Sequence, residues 1–462
     1  MIGWFFDYPF SVVARHVGFL EPIGVIFAVL TSIKQARIDM LVIKGSLKMF
    51  KDIKQIKTTR RTVLGAALGL GVAAGFGGLS PAFAADDIAV GAIYDLTGGL
   101  NIYGIQQSRA MHLAVDAING KGGLLGRKLN VIENDSQSEL PKFTQYANTL
   151  ILRDKIQVLF AGLTSSSREA MRPIVREKKV PYFYSALYEG GACDKQTFIT
   201  GASASQQMSV LIEWAIKKYG PKIYIMAPDY NFGTISAHWV ETYAKQLGGE
   251  VLGSDFLPLT VTDYAPTIQK IQAAKPNFVV TLPVGANQTG FLEQFAAAGL
   301  KKQMGIVSTN YGSGNQQVVV SPDAGEGIVA SQEYFMWIEG AGNDAFKALW
   351  KAKYGLDEPI ISEAASTWNA VNLWAMAVEK AGTTENDKVI AALESGLTFE
   401  GPNGLVTLQP KSHHLKQNIY IVQGNRDHGF DVIKTYESVA PSFEDEKCDL
   451  IANPETAEAF TP

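Results

Sequence analysis

The chain has 462 residues, 47% of them hydrophobic and 19% charged, with two cysteines. This is enough apolar material for one large or two medium domains, and it excludes a disordered chain, collagen and a small disulfide scaffold. Ten basic and four acidic residues fall within 1–84, leaving 31 basic and 41 acidic beyond it, so a body of net −10 follows a segment of net +6; such a body, with no basic stripe, argues against nucleic acid as a partner.

The basic segment reads as an export leader. Thr59-Arg60-Arg61-Thr62-Val63-Leu64 opens it, a glycine-rich uncharged stretch to Leu79 follows, and Pro81-Ala82-Phe83-Ala84 supplies the small side chains that a signal peptidase requires. The arginine pair and the mildly hydrophobic core are similar to a twin-arginine (Tat) signal, with cleavage expected after Ala84. Upstream, the uncharged run Pro22–Ile33 has 12 residues, too few to cross a bilayer. Met49 is a plausible start, so 1–48 is read as a misassigned beginning, with an amphipathic membrane segment as the alternative. An oxidising compartment permits a bridge between Cys193 and Cys448, but spacing alone does not pair them.

From Ile88 onward strand and helix signals alternate. An apolar run Ile88–Tyr94 leads through a turn at Thr97–Gly104 into apolar residues at helical spacing, Ala110, Leu113, Ala114, Ala117 and Ile118. Further strands are predicted at Leu129–Glu133, Val158–Ala161, Tyr182–Ser185, Ile223–Ala227, Phe278–Leu282 and Ile306–Thr309. Helices are predicted between them at Lys142–Leu152, Ser167–Glu177, Gln207–Tyr219, Ser236–Leu247, Ala265–Ala274 and Gln288–Ala298, and Ala345–Ala381 reads as helix without an intervening strand. Strands that are apolar at nearly every position imply parallel sheets covered on both faces.

Roughly ten strands exceed one sheet core, so the fold class is α/β, with two doubly wound Rossmann-like lobes joined by crossovers. The first lobe is expected over 85–202 and 333–395, the second over 203–332 and 396–440, and a C-terminal tail over 441–462. Ligands in such sheets bind beyond the carboxyl ends of the strands, where four loops stand: Thr97-Gly98-Gly99, Thr164-Ser165-Ser166-Ser167, Ser185-Ala186-Leu187-Tyr188 and Asp229-Tyr230-Asn231-Phe232. Small, hydroxyl and aromatic groups there suit a small polar ligand. They also suit turns and helix caps, and Ser165 or Ser166 is expected to cap the helix that follows.

Catalytic signatures are missing from the body: it contains no G-x-S-x-G elbow, P-loop, H-E-x-x-H or C-x-x-C. His413-His414 is the one histidine cluster, and adjacent side chains rarely converge on a metal, so a turn-stabilising role is expected and no metal or other cofactor is assigned. A nucleophilic Ser165 would need a base that nothing local supplies.

Asn119-Gly120-Lys121-Gly122-Gly123-Leu124-Leu125-Gly126 resembles the N-x-x-G-G-x-x-G hairpin of type I periplasmic solute-binding proteins of ABC importers. Its glycines permit the positive φ of a tight helix-to-strand link. Ser165-x-x-Arg168, Tyr188-Glu189-Gly190, Gln206-Gln207, Asp229-Tyr230 and Pro410-x-x-His413-His414 look like the urea and short-chain-amide branch, and the resemblance runs from about Ile88 to Tyr436. It implies a monomer that captures a small molecule and passes it to an inner-membrane permease, and it involves no enzyme chemistry. By position it carries Ser165, Tyr184 and Tyr230 over as ligand contacts, with Ala186 beside them; Thr97, on the first strand-end loop, joins them as a candidate. Leu163, Ser185 and Ala186 depart from the branch, whose common residues there are an aromatic, a proline and a polar side chain.

Branched-chain amino-acid relatives hold the ligand ammonium with an acid after a second-lobe strand. Here Pro283-Val284-Gly285-Ala286 stands at that place. A buried ammonium without a carboxylate is costly, which favours a neutral amide or urea, unless Glu189 or Glu333 supplies the charge for an amino acid. An amidase acting through Ser165 and a cytoplasmic amide-sensing regulator are the competing classes.

Overall fold

A computed structural model describes residues 86–462; the expected leader over 1–84, with its arginine pair and the run Pro22–Ile33, lies outside the described residues. The first sheet consists of β1 (Ile88–Tyr94), β2 (Leu129–Asp135), β3 (Leu159–Ala161), β4 (Tyr182–Tyr184) and β6 (Thr197–Ile199), in the order β2-β1-β3-β4-β6 and parallel throughout, while β5 (Ala192–Asp194) lies apart from it. The second sheet begins with β7 (Lys222–Pro228), β8 (Glu250–Leu257), β9 (Phe278–Thr281), β10 (Gly305–Ser308) and β11 (Val329–Gln332), parallel in the order β8-β7-β9-β10-β11. Both lobes thus place their second strand outside the first and step the other way afterwards, the doubly wound pattern whose switch point opens a crevice at the carboxyl ends.

Past β11 the winding stops. β12 (Thr398–Gly401), β13 (Gly404–Leu408), β14 (Leu415–Gly424) and β15 (Phe430–Val439) are antiparallel additions to the second sheet. The last strand, β16 (Ala457–Ala459), pairs with β5 of the first lobe. Sixteen strands among the described residues replace the roughly ten expected from β-loop-α counting.

Packing follows the period of each strand. In β7, Ile223, Ile225 and Ala227 join a cluster with Leu211, Val240 and Ile421, whereas Tyr224 and Met226 face Ile268, Phe291 and Phe295. The first sheet is likewise covered by Phe143, Leu150 and Met171 on one face and by Met111, Ala114, Val371 and Trp374 on the other. The helix Ser362–Ala381 therefore belongs to the wall of the first sheet, although it follows β11 in sequence. The helix-to-strand hairpin has Gly123 at φ 78° and Gly126 at φ 75°, and Asn119 closes it by exchanging two hydrogen bonds with Leu129.

The C-terminal segment is pinned to both lobes. Cys193 and Cys448 form a disulfide across a sequence separation of 255. On the second lobe Phe443 packs edge-on against Trp239, with ring centroids 4.9 Å apart. The Glu444 carboxyl accepts from Ser203 and Ser205 at the first crossover and from the Gly191 backbone. Gly191 has φ 82° and faces the Phe460 carbonyl so closely that a Cβ would collide with it.

Candidate functional site

Beyond the carboxyl ends of both sheets lies a cavity of about 420 Å³, part of it open to solvent. The first lobe supplies Leu100 and Tyr103, Leu163 to Ser165, Tyr184, Ala186 and Leu187, and Glu363; the second supplies Tyr230, Phe232, Val284, Asn310 and Ser313. Four of the five residues expected from sequence, Ser165, Tyr184, Ala186 and Tyr230, stand around this one cavity. Thr97 does not: its hydroxyl donates to Asp135 at 2.6 Å on an exposed turn, where the same carboxylate collects the Leu96 and Thr97 backbone N–H groups.

The helix Ser165–Lys178 starts at the cavity because Thr164 caps it, its hydroxyl accepting the Ser167 N–H at 3.1 Å. The cap is thus Thr164, not Ser165 or Ser166: one residue earlier, the side chain reaches the third helical N–H, which is the bond an N-cap makes. Ser165 is left to donate to the Glu189 carboxylate. Glu189 is in turn held by the Arg168 guanidinium at 2.6 Å, and both side chains are almost fully buried. Arg168 also lies over the rings of Tyr184 and Tyr188, 5.1 and 4.6 Å from their centroids. Burial alone would lower its pKa, but the Glu189 charge outweighs that and holds it above its ordinary value. This pair forms the floor beneath Ser165.

Hydrogen-bond capacity separates wall from contact. Asn310 is saturated: its amide donates to the Leu282 and Pro283 carbonyls and its oxygen accepts from Ser308 and Gln288. Tyr184 spends its proton on the Leu163 carbonyl. Tyr103 accepts the Gly285 N–H and the Gln316 side-chain N–H, each at 3.0 Å, so its own proton is free to be donated. Ser165 keeps acceptor capacity, and burial raises the pKa of Tyr230, which stays a neutral phenol.

Glu363 was not among the residues expected from sequence. It stands in the first turn of Ser362–Ala381, 2% exposed, and its carboxyl accepts from the hydroxyls of Ser313 at 2.5 Å and Ser362 at 3.1 Å. Burial, moderated by the Ser313 hydrogen bond and reinforced by Glu333, pushes its carboxyl up to about 8. The acids named earlier as charge partners are engaged elsewhere: Glu189 faces Arg168, and Glu333 accepts from Ser366 at 2.9 Å without lining the cavity. No lysine, arginine or histidine lines the cavity among the described residues.

The histidine pair is built into the turn that joins β13 to β14. His413 stacks on Phe198 at 4.3 Å and faces Glu394, while His414 donates from Nδ1 to the Ser412 carbonyl and accepts at Nε2 from Tyr188. Burial pushes His414 down to about 3, which keeps it neutral.

A two-lobed α/β protein with its cavity at the strand ends of both lobes is the architecture of a solute-binding protein. The chain matches the model of the periplasmic binding protein family over residues 87–429, and it belongs to that family. It is 25% identical over 246 residues to Leu/Ile/Val-binding protein homolog 7 of Brucella suis, a match covering 51% of this chain and 61% of that relative. With homolog 6 of Brucella melitensis it shares 22% identity over 346 residues, covering 73% of this chain and 87% of the relative. Among solved structures it is similar to a solute-binding protein of an ABC transporter from Rhodopseudomonas palustris in complex with 3,4-dihydroxybenzoic acid (TM-score 0.70, 24% identity, 78% of this chain and 99% of the other). It is also similar to a leucine-binding protein from Thermotoga maritima (TM-score 0.68, 17% identity, 76% and 99%). These two share its fold.

Proposed function

We propose that this protein is the extracytoplasmic binding component of an ABC importer. In this reading it is exported by the Tat route, closes its lobes on a short-chain amide or urea, and delivers it to a membrane permease. One observation carries the ligand class: the cavity offers hydroxyls, a helix N-terminus and a single carboxyl held largely neutral, and no cationic side chain lines it. An amide satisfies those groups without bringing a charge into a desolvated site, whereas a benzoate-like anion would meet Glu363 with no counter-ion. Enzyme action is not favoured, because Ser165 donates to a carboxylate whose charge is already engaged by Arg168.

A second reading, an amino-acid ligand, is supported by Glu363 itself. Once ionised, it supplies the acid that the loop after β9 lacks, and relatives named for leucine, isoleucine and valine point the same way.

The test is isothermal titration of the purified protein with acetamide, propionamide, urea, leucine and benzoate, repeated in two buffers of different ionisation heat. A neutral amide is expected to bind without proton exchange. Leucine would ionise Glu363 and release a proton at pH 7. Binding of benzoate alone, or ammonia released from an amide, would overturn the proposal.

A further inference from the structure

We infer that Glu363 is the residue that selects the ligand, by accepting its N–H group, and that Ser313 ties this recognition to closure of the lobes. The inference rests on the reading of the cavity as the ligand site and adds to it the chemical feature that the site demands.

Glu363 lies on the first-lobe helix Ser362–Ala381 and opens into the cavity. Each of its oxygens accepts one hydroxyl, Oε1 from Ser313 and Oε2 from Ser362, and even with the carboxyl protonated its carbonyl oxygen has a second lone pair to offer. The titratable neighbours that act on it are Glu333, beyond β11, and Tyr103, on the helix Asn101–Gly120; neither is a cation. That lone pair is open to an N–H donor brought by a ligand. Tyr103, also on the cavity wall, has a free proton to give a carbonyl oxygen, so the site offers an acceptor at Glu363 and a donor at Tyr103. A molecule carrying both C=O and N–H fits that polarity, whereas an ester of the same shape leaves Glu363 without its donor.

Ser313 belongs to the loop after β10 in the second lobe, so its bond to Glu363 spans the cleft. Recognition and closure then draw on the same carboxyl. Removing Ser313 is expected to weaken all ligands alike, and removing Glu363 to weaken the N–H ligands selectively.

The experiment titrates each N–H ligand beside an oxygen analogue that has no donor at that position: acetamide beside methyl acetate, and leucine beside 4-methyl-2-oxopentanoate. The wild type is expected to prefer the N–H member of whichever pair it binds by at least tenfold. Glu363→Ala and the similarly sized Glu363→Met, neither of which carries an oxygen acceptor, should lose most of that preference, while Ser313→Ala lowers both affinities and keeps the ratio. Circular dichroism checks that each variant is folded, and Glu363→Met keeps the test open if the alanine variant is not. A wild type that binds an N–H ligand, with both Glu363 variants retaining the preference, overturns the role of Glu363 alone. A wild type that binds neither pair overturns the cavity reading and this inference with it.

Discussion

At the scale of single residues, the cavity floor is an ion pair removed from water. Burying two charges costs several kcal/mol, and their attraction repays it only when both are present. Arg168→Met should therefore destabilise the fold by about 3–5 kcal/mol, because Glu189 is left buried and uncompensated, and Arg168→Met with Glu189→Gln should recover part of it. Chemical denaturation curves of the two variants check this. The buried acids Glu363, Glu333 and Glu444 lack such a partner, and that makes stability depend on pH. Glu363 holds its proton up to about 8 when folded but to an ordinary value near 4.5 when unfolded, so the stability it lends is complete below 4.5 and is lost as pH rises through 8. Burial shifts Glu333 and Glu444 in the same direction. His414 works the other way: kept neutral down to about 3, its contribution is present above 6.5 and is lost as pH falls. The melting temperature is thus expected to peak between pH 4.5 and 6.5, and calorimetry of Glu363→Gln should show a flatter alkaline limb. None of this was legible in Ile360-Ile361-Ser362-Glu363, which reads as an ordinary helix start where an acid is favoured by the dipole in any case. Ser165 and Tyr230 stand in polar and aromatic loops just beyond apolar strands, whereas Tyr184, inside a predicted strand, was named through the family resemblance alone.

At the scale of elements, β3, β4 and β9 were readable because they are buried on both faces, so apolarity is continuous and helical spacing resumes after the turn, whereas the parallel strands β6, β8 and β11 were not among those predicted. The antiparallel strands carried no such signal. β15, for example, exposes most of its ten residues, and its order comes from pairing with β14. The tail was equally opaque, since β16 has three exposed residues and acquires its place from β5 and from the disulfide. In the chain-entropy account, closing a loop of 255 residues stabilises by up to about 5 kcal/mol, less whatever structure the reduced unfolded chain retains. Reduction, or Cys448→Ser, is expected to lower the denaturation midpoint by an amount approaching that limit. A reduced protein with the midpoint of the oxidised one would show that β16 and Glu444 hold the tail unaided.

At the scale of the whole molecule, the question is what holds the lobes together. A ligand favours closure only as far as it touches both lobes, yet direct bonds already span the cleft. Tyr103 accepts from Gly285 and Gln316, Asn315 donates to the Pro359 carbonyl at 2.9 Å, and Trp239 donates to the Glu189 carbonyl at 2.8 Å. Closure is therefore an equilibrium with contributions from both protein and ligand, and weakening the protein's share must lower the apparent affinity for every ligand by the same factor. Tyr103→Phe keeps the ring and deletes the shared oxygen, leaving two N–H donors unpaired whenever the cleft shuts, at about 1–3 kcal/mol for each buried group. Small-angle scattering without ligand is expected to give a larger radius of gyration for Tyr103→Phe than for the wild type, and saturating ligand should bring the two together. Equal radii without ligand would place the closing force elsewhere, in the apolar cluster that joins Phe346, Trp350 and Ala364 to Tyr311 and Ala330 of the second lobe.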